Sequence, residues 1–180
     1  PKNSKFGRIS PNINEIIKKE LEKDGEMVGY ITGINLYNKL GLTTQISNVI
    51  EIGINKRKAS KEIMGTKVKF IQVNSKIDMS TVNLLQLLDA MKSIKKIPDS
   101  NVNENYKILK YKINELNKFE QEKIINLALD YSPFTRAILG MILEEISSID
   151  LSVLESSLNS FTKFNIEIDN IKNRKRWNIS

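Results

Sequence analysis

The sequence predicts an α+β fold in which a small antiparallel sheet with flanking helices is followed by a C-terminal helical bundle. Two hydrophobic patterns carry this prediction. Ile50, Ile52 and Ile54 occupy every second position, and this period is typical of a strand with one buried face. From Ser80 onward, apolar residues recur every three or four positions, as they do in amphipathic helices.

Two helices are predicted before the sheet. Residues 1–11 show no periodicity and are expected to form a connecting segment or an extended strand tail. Isoleucines at helical spacing predict a helix that begins near Asn12 and stops at Gly25. Thr32 is expected to cap a second, short helix, which ends at Gly41 because glycine readily adopts the left-handed conformation.

The sheet itself is expected between residues 48 and 74. NVIEIGIN (48–55) and TKVKFIQV (66–73) have the composition of strands and lie on either side of a basic loop, so we expect them to pair antiparallel. KFNIEI (163–168) is a candidate third strand with the same alternation.

Capping residues mark the helices of the C-terminal half. Asn117 and Glu120 have the spacing of a capping box, and Ser132 followed by Pro133 is typical of a helix start. The predicted helical segments are residues 81–97, 106–116, 119–131, 132–146 and 150–158. We predict a single domain over residues 1–180, and its division into an α+β part (1–76) and a helical part (77–180) stays open.

Composition excludes several classes of function. The 180 residues include no cysteine and no histidine, which rules out structural zinc, a cysteine nucleophile and a Ser-His-Asp triad. No apolar run is long enough to span a membrane, and the N-terminal residues lack the apolar core of a signal peptide. We therefore expect a cytoplasmic protein without a membrane partner, and its abundant Lys, Ile and Asn indicate a bacterial source.

Positive charge points to acidic partners. The formal net charge of +7 permits attraction to nucleic acid or to an acidic protein. The basic loop supplies Lys56, Arg57, Lys58 and Lys61. Two interpretations stay open for this loop: a phosphate-binding site, or a solvated loop that keeps a strand edge from aggregating.

Two further clusters of positive charge have a simpler explanation. Lys92, Lys95 and Lys96 lie at the end of a predicted helix, where they complement the helix dipole. Near the C-terminus, basic residues precede an aromatic one, which fits either a binder of single-stranded nucleic acid or a disordered tail. That segment consists of Lys172, Arg174, Lys175, Arg176 and Trp177.

The carboxylates are not placed for catalysis. Glu144 and Glu145 are adjacent on a predicted helix, so their side chains diverge. The strand TKVKF has no carboxylate, so the acidic-x-Lys pattern of many nucleases is missing. We expect no enzymatic activity, no catalytic residue, no cofactor and no metal. An enzyme acting on nucleic acid through carboxylates and a divalent ion is the weaker alternative.

Arg136 is the most distinctive single residue. It falls one turn into the helix that Ser132 opens, close to Tyr131. A guanidinium there can clamp a carboxylate with a forked pair of hydrogen bonds, and that carboxylate belongs either to another helix or to a partner protein.

Two segments are the most specific parts of a longer family pattern: LGLTTQ (40–45) and YSPFTRAILG (131–140). With MGTKVKF, NLLQLLDAMKSIKKIP and RWNI they resemble, in the same order, the AbiEi-type antitoxins of type IV toxin–antitoxin systems. The resemblance covers about residues 4 to 180. The family-typical positions are Thr43, Thr44, Gln45, Tyr131, Pro133, Arg136 and Gly140.

This resemblance implies an antitoxin and transcriptional regulator of an abortive infection system. It implies an upstream winged helix that makes the main DNA contacts, and a nucleotidyltransferase-like toxin that is opposed without an obligatory complex. Thr44, Gln45, Tyr131 and Arg136 are then the candidate partner-binding residues, and a homo-oligomer stays open. The alternative is an effector or dimerisation domain of a transcription regulator that has no toxin partner.

Overall fold

A computed structural model describes residues 13–169, 171 and 173–180 of the chain. The fold is mixed α+β, with the strands in the first part of the chain and the C-terminal helices after them, as the sequence predicts. Within these described ranges, no helix combines the length and the apolar character that crossing a membrane requires. The elements are α1 (Ile13–Leu21), β1 (Glu22–Lys23), β2 (Glu26–Met27), β3 (Gly29–Thr32), α2 (Gly33–Lys39), β4 (Val49–Ile54), β5 (Lys61–Ile63), β6 (Thr66–Gln72), α3 (Val82–Ser93), α4 (Val102–Asn114), α5 (Lys118–Ala128), α6 (Pro133–Ile146) and α7 (Ser152–Ser156).

The main sheet is mixed rather than antiparallel, with the strand order β3-β4-β6-β5. β4 and β6 are the two strands that the sequence predicts, but they run parallel, with Ile52 opposite Phe70. The expected antiparallel pairing is wrong because the short strand β5 lies between them in the chain and forms the hairpin with β6. The chain reverses direction twice, so β4 and β6 point the same way.

Helix α1 covers one face of this sheet. Its residue Ile17 packs in a cluster with Ile52 and Val68. The helix ends at Leu21, before the predicted stop at Gly25, because residues 22–27 form the small hairpin β1-β2. An Asp-Gly pair at its turn is typical of a two-residue hairpin. The predicted connecting segment, residues 1–11, lies outside the described residues.

Helices α5 and α6 begin where their capping residues predict. Asn117 and Glu120 make both bonds of the capping box at α5. Ser132 accepts a hydrogen bond from the Thr135 N–H and opens α6. Helix α4 begins earlier than predicted because Asn101 caps it and accepts hydrogen bonds from two backbone N–H groups.

The core of the bundle includes residues from the first part of the chain. Leu36 of α2 and Leu42 beyond it pack in the same cluster as the apolar faces of α3 to α6. Gly41 has a φ of +81° and ends α2 as predicted. The candidate third strand is wrong, because Phe164 lies outside both sheets and forms an isolated parallel bridge with Ile179.

Candidate functional site

A half-buried carboxylate, Asp89 of α3, joins the sheet to the helical bundle. Its Oδ2 atom accepts hydrogen bonds from the Tyr30 hydroxyl at 2.9 Å and the Thr32 hydroxyl at 2.7 Å, both on β3. Its Oδ1 atom accepts one from the Tyr131 hydroxyl at 2.9 Å, in the turn between α5 and α6. Thr32 does stand at the N-cap of α2, but without a capping hydrogen bond; its hydroxyl donates to Asp89 instead.

The ionisation of this cluster is set mainly by burial. Burial raises the pKa of Asp89 above its ordinary value, against the opposing effect of the three hydroxyl groups and of Lys92. Burial and the nearby Asp89 also raise the pKa of Tyr30 and of Tyr131. Both phenols therefore keep their protons at neutral pH and remain hydrogen-bond donors.

Two adjoining clefts open beside Asp89, and together we call them the Asp89 groove. The larger has a volume of about 300 Å³ and is bordered by Asp130 and Tyr131, and the smaller has about 160 Å³ and is bordered by Glu51. Ile71, Asp89 and Lys92 line both. Three carboxyl groups and a single ammonium group thus line the groove, whereas the whole chain carries +7.

Larger depressions elsewhere on the surface differ in chemical character. One of about 690 Å³ lies between α5 and the end of α6, and one of about 440 Å³ lies beside the start of α4. The ionisable side chains that line them, such as Glu122 and Lys95, are exposed to solvent. Asp89 is instead half-buried and accepts three hydrogen bonds from hydroxyl groups, and this makes its groove the more specific binding feature.

The basic loop between β4 and β5 divides into two pairs of residues. Lys58 and Lys61 both bind the carboxylate of Glu20, with 2.5 Å between Lys61 Nζ and Oε1, and both lie over the Phe70 ring. Burial raises the pKa of Glu20, but the two lysines outweigh it and hold the pKa below its ordinary value. Lys58 and Lys61 therefore have an internal structural role.

Lys56 and Arg57 form the other pair, and both are exposed. Among the ion pairs of the described residues, none involves either of them. Of the four predicted nucleic-acid-binding residues, these are the two whose charges no other described residue neutralises.

The LGLTTQ segment forms a clasp on the loop between α3 and α4. Thr43 is buried, and its hydroxyl donates to the Pro98 carbonyl at 2.6 Å. The Gln45 side chain donates to Asp99 Oδ2 at 2.7 Å. Thr44 lies between them in the chain and is exposed. Of the two candidate partner-binding residues in this segment, Gln45 makes an internal contact and Thr44 faces solvent.

The other two candidate partner-binding residues also differ. Tyr131 belongs to the internal network around Asp89. Arg136 is half-buried, and its Nε atom is enclosed without a hydrogen-bond partner among residues 13–169, 171 and 173–180. Within the part of the chain that the structure describes, no ion pair reaches the Arg136 guanidinium. The sequence allows two partners for this guanidinium, an internal carboxylate or one from a partner protein. The described residues do not supply the internal carboxylate.

The basic C-terminal segment is neither a disordered tail nor an exposed stacking platform. Trp177 is fully buried, and its indole N–H donates to Glu144 at 2.8 Å. The Arg176 guanidinium pairs with Glu144 at 2.5 Å and with Glu155 at 2.8 Å. Lys172, which belongs to the same predicted cluster, lies outside the described residues.

Asp89 is the functional candidate that the sequence does not reveal. In TVNLLQLLDAMKS it occupies a polar position of an amphipathic helix, which the pattern assigns to solvent. Its three donors are 42 to 59 residues away in the chain. Across the described residues, no three acidic side chains come close enough together to hold a metal ion.

Comparisons with known proteins give no family assignment. A scan against protein-family models, a search of curated proteins and a search of solved structures each found no match to this chain.

Proposed function

We propose that this chain is the toxin-opposing and assembly segment of an AbiEi-type antitoxin and transcriptional regulator in a bacterial toxin–antitoxin system. Its activity is recognition rather than catalysis, and it acts in the cytoplasm. Within the proposed system, an upstream winged helix provides the main DNA contacts, while Lys56 and Arg57 add auxiliary contacts to phosphate. A nucleotidyltransferase-like toxin is the protein whose effect it opposes.

The observation that carries the proposal is the state of Arg136. This residue lies in the family-like segment YSPFTRAILG, on the first turn of α6. Its Nε atom is buried and has no hydrogen-bond partner in the part of the chain that the structure describes. A buried donor without a partner costs stability, roughly 1–3 kcal/mol, and this favours a partner that the described residues do not supply. A carboxylate of a partner protein would satisfy it with a charge-assisted hydrogen bond.

The position of the two family-like segments gives secondary support. Residues 40–45 clasp the loop after α3 through Thr43 and Gln45, and residues 131–140 reach Asp89 through Tyr131. The first segment therefore fixes the connection after α2 to the bundle, and the second takes part in the network that joins β3 to α3. A rigid support of this kind suits a protein that works by presenting a fixed surface, because little entropy is then lost on binding.

Co-expression with the toxin tests the proposal. The full-length regulator is produced in cells that also express the nucleotidyltransferase-like reading frame next to its gene, and cells with toxin and an empty vector set the level of growth arrest. We expect growth to resume when the regulator is present. Growth arrest that continues undiminished would overturn the antitoxin function.

A second candidate is an effector domain of a transcription regulator without a toxin, and the Asp89 groove favours it. A cleft of about 300 Å³ with a few convergent polar groups, here around the Asp89 carboxylate, has the size of a small-ligand site. The neighbouring genes discriminate between the two functions. A nucleotidyltransferase-like reading frame immediately downstream supports the antitoxin, and its absence supports the effector domain.

A further inference from the structure

We propose that the Asp89 groove is a binding site for a guanidinium group. This site is separate from Arg136 and from the toxin-opposing surface, and it does not depend on the antitoxin function. The guanidinium belongs either to a free small molecule or to an arginine side chain of another protein.

The Asp89 carboxylate can accept more hydrogen bonds than it receives. An ionised carboxylate accepts about four hydrogen bonds and donates none. Three hydroxyl donors approach Asp89, two on Oδ2 and one on Oδ1. Oδ1 therefore retains an open acceptor position. Among the described residues, no lysine or arginine forms an ion pair with this carboxylate, and the ammonium group of Lys92 acts on it only from a greater distance.

Carboxyl groups outnumber basic groups along the Asp89 groove. Asp130 borders the larger cleft, and its Oδ2 atom accepts a hydrogen bond from the Ser75 hydroxyl at 2.6 Å. Glu51 borders the smaller cleft, where its nearest cation is Lys69 at 3.9 Å. Lys92 is the basic residue that lines both clefts. The excess of carboxyl groups attracts a cation, although the protein as a whole repels one.

The size of the groove and the residues that line it also fit a guanidinium group. Its larger cleft, at about 300 Å³, is at the lower end of the range for small-ligand sites. Ile71 and the Tyr131 side chain provide apolar and aromatic surface next to the carboxylates. A guanidinium fits this mixture better than an ammonium group, because it is planar, is weakly hydrated, stacks on aromatic rings and offers five donors.

Nuclear magnetic resonance titration of the intact chain tests the site with three probes. Ethylguanidinium represents a free small molecule, and a Gly-Arg-Gly peptide with blocked termini represents a protein side chain. The same peptide with citrulline in place of arginine is the matched neutral control. We expect the backbone signals of residues 71–75 and 89–92 to shift with at least one guanidinium probe, and the tighter of the two identifies the source.

Three variants test the electrostatic part of the site. Lys92→Gln removes the repelling charge and should tighten binding by on the order of fivefold, whereas Asp130→Asn should weaken it by a similar factor. Asp89→Asn should abolish binding. Lys96→Gln is the control, because Lys96 is exposed near the same helix end and does not border the groove.

The two neighbouring substitutions keep the test decisive even where Asp89→Asn fails to fold. Opposite effects of Lys92→Gln and Asp130→Asn, with no effect of Lys96→Gln, support the proposal. The proposal is overturned where neither guanidinium probe shifts these signals, where the citrulline peptide binds as well as the arginine peptide, or where Lys92→Gln leaves the affinity unchanged.

Discussion

The indole ring of Trp177 packs directly on the Cα atom of Gly140, in the middle of α6. A methyl group added at Gly140 would overlap the six-membered part of that ring. One helical turn further, Glu144 accepts the hydrogen bond from the indole N–H. The C-terminal segment is therefore held on the bundle by one small residue that makes room for it and one carboxylate that fixes its orientation.

Gly140→Ala should destabilise the protein although alanine favours a helix. The added methyl overpacks the contact at a cost of about 1–3 kcal/mol, which outweighs the gain in helix propensity of about 1 kcal/mol. Urea unfolding followed by Trp177 fluorescence measures this cost. In a Trp177→Ala background, followed by circular dichroism, the same substitution should become neutral or stabilising. An equal cost in both backgrounds would show that the indole contact is not its cause.

Asp89→Asn should change how stability depends on pH. Because burial raises the pKa of Asp89 above 3.8, the folded protein binds this proton more tightly than the unfolded chain does. Its contribution to the free energy of unfolding is therefore fully present below pH 3.8 and is lost as the pH rises through the raised folded pKa. An asparagine side chain at this position does not ionise, so the free energy of unfolding of Asp89→Asn should rise relative to that of wild type as the pH increases.

Urea unfolding of wild type and variant across this pH range provides the measurement. Glu122→Gln, which removes an exposed carboxyl group on α5, is the control for the loss of a charge. A constant difference between wild type and Asp89→Asn at every pH would contradict the prediction.

Two neighbouring threonines should respond differently to the same substitution. Thr43→Val removes the hydroxyl that donates to the Pro98 carbonyl and leaves that carbonyl without its partner, which should cost about 1–3 kcal/mol. Thr44→Val changes an exposed side chain and should stay within about 0.5 kcal/mol. Chemical unfolding of the two variants compares them directly. Equal effects would mean that the clasp does not stabilise the fold.

Substitutions in the two residue pairs of the basic loop should have different effects on DNA binding by the full-length regulator. Lys56→Gln with Arg57→Gln should lower the slope of log affinity against log salt by about 0.9 for each phosphate that the protein no longer neutralises. Lys58→Gln with Lys61→Gln is the matched control and should instead cost up to about 1 kcal/mol of stability, because these lysines bind Glu20. An unchanged slope in the first variant would assign Lys56 and Arg57 to solvent.

Local signals in the sequence predict the helices well. The capping box at Asn117 and Glu120 and the start of α6 at Ser132 are encoded within a few residues, so the pattern alone identifies them. The strand direction is not encoded in this way. It depends on β5, whose three residues, Lys61–Ile63, are too few to show a period of two.

The candidate sites show the same distinction between local and distant information. The sequence shows that the loop is basic. It does not show which of the four residues bind an internal carboxylate, because Glu20 lies about 40 residues away from Lys58 and Lys61. Asp89 resembles any polar residue of an amphipathic helix until the fold brings Tyr30 and Tyr131 to it. Pairings between distant residues are a property of the tertiary structure, and no alternation pattern records them.

Binding of the Arg136 guanidinium to a partner carboxylate is the central claim, and substitution of Arg136 tests it. Arg136→Gln should not lower the free energy of unfolding, since it breaks no ion pair among the described residues and removes the enclosed Nε donor. It should weaken toxin neutralisation by on the order of tenfold or more, because a charge-assisted hydrogen bond to the partner is removed. Arg136→Lys should recover part of this activity, since it keeps the charge but not the forked geometry.

The most direct measurement is the survival of cells that express the toxin together with the full-length regulator carrying Arg136→Gln, from a promoter that the regulator does not control. Arg57→Gln, in the exposed basic loop, is the matched control. We predict that Arg136→Gln lowers survival while the variant remains folded, and that Arg57→Gln protects as wild type does. Full protection by a folded Arg136→Gln variant would contradict the proposed role of this guanidinium.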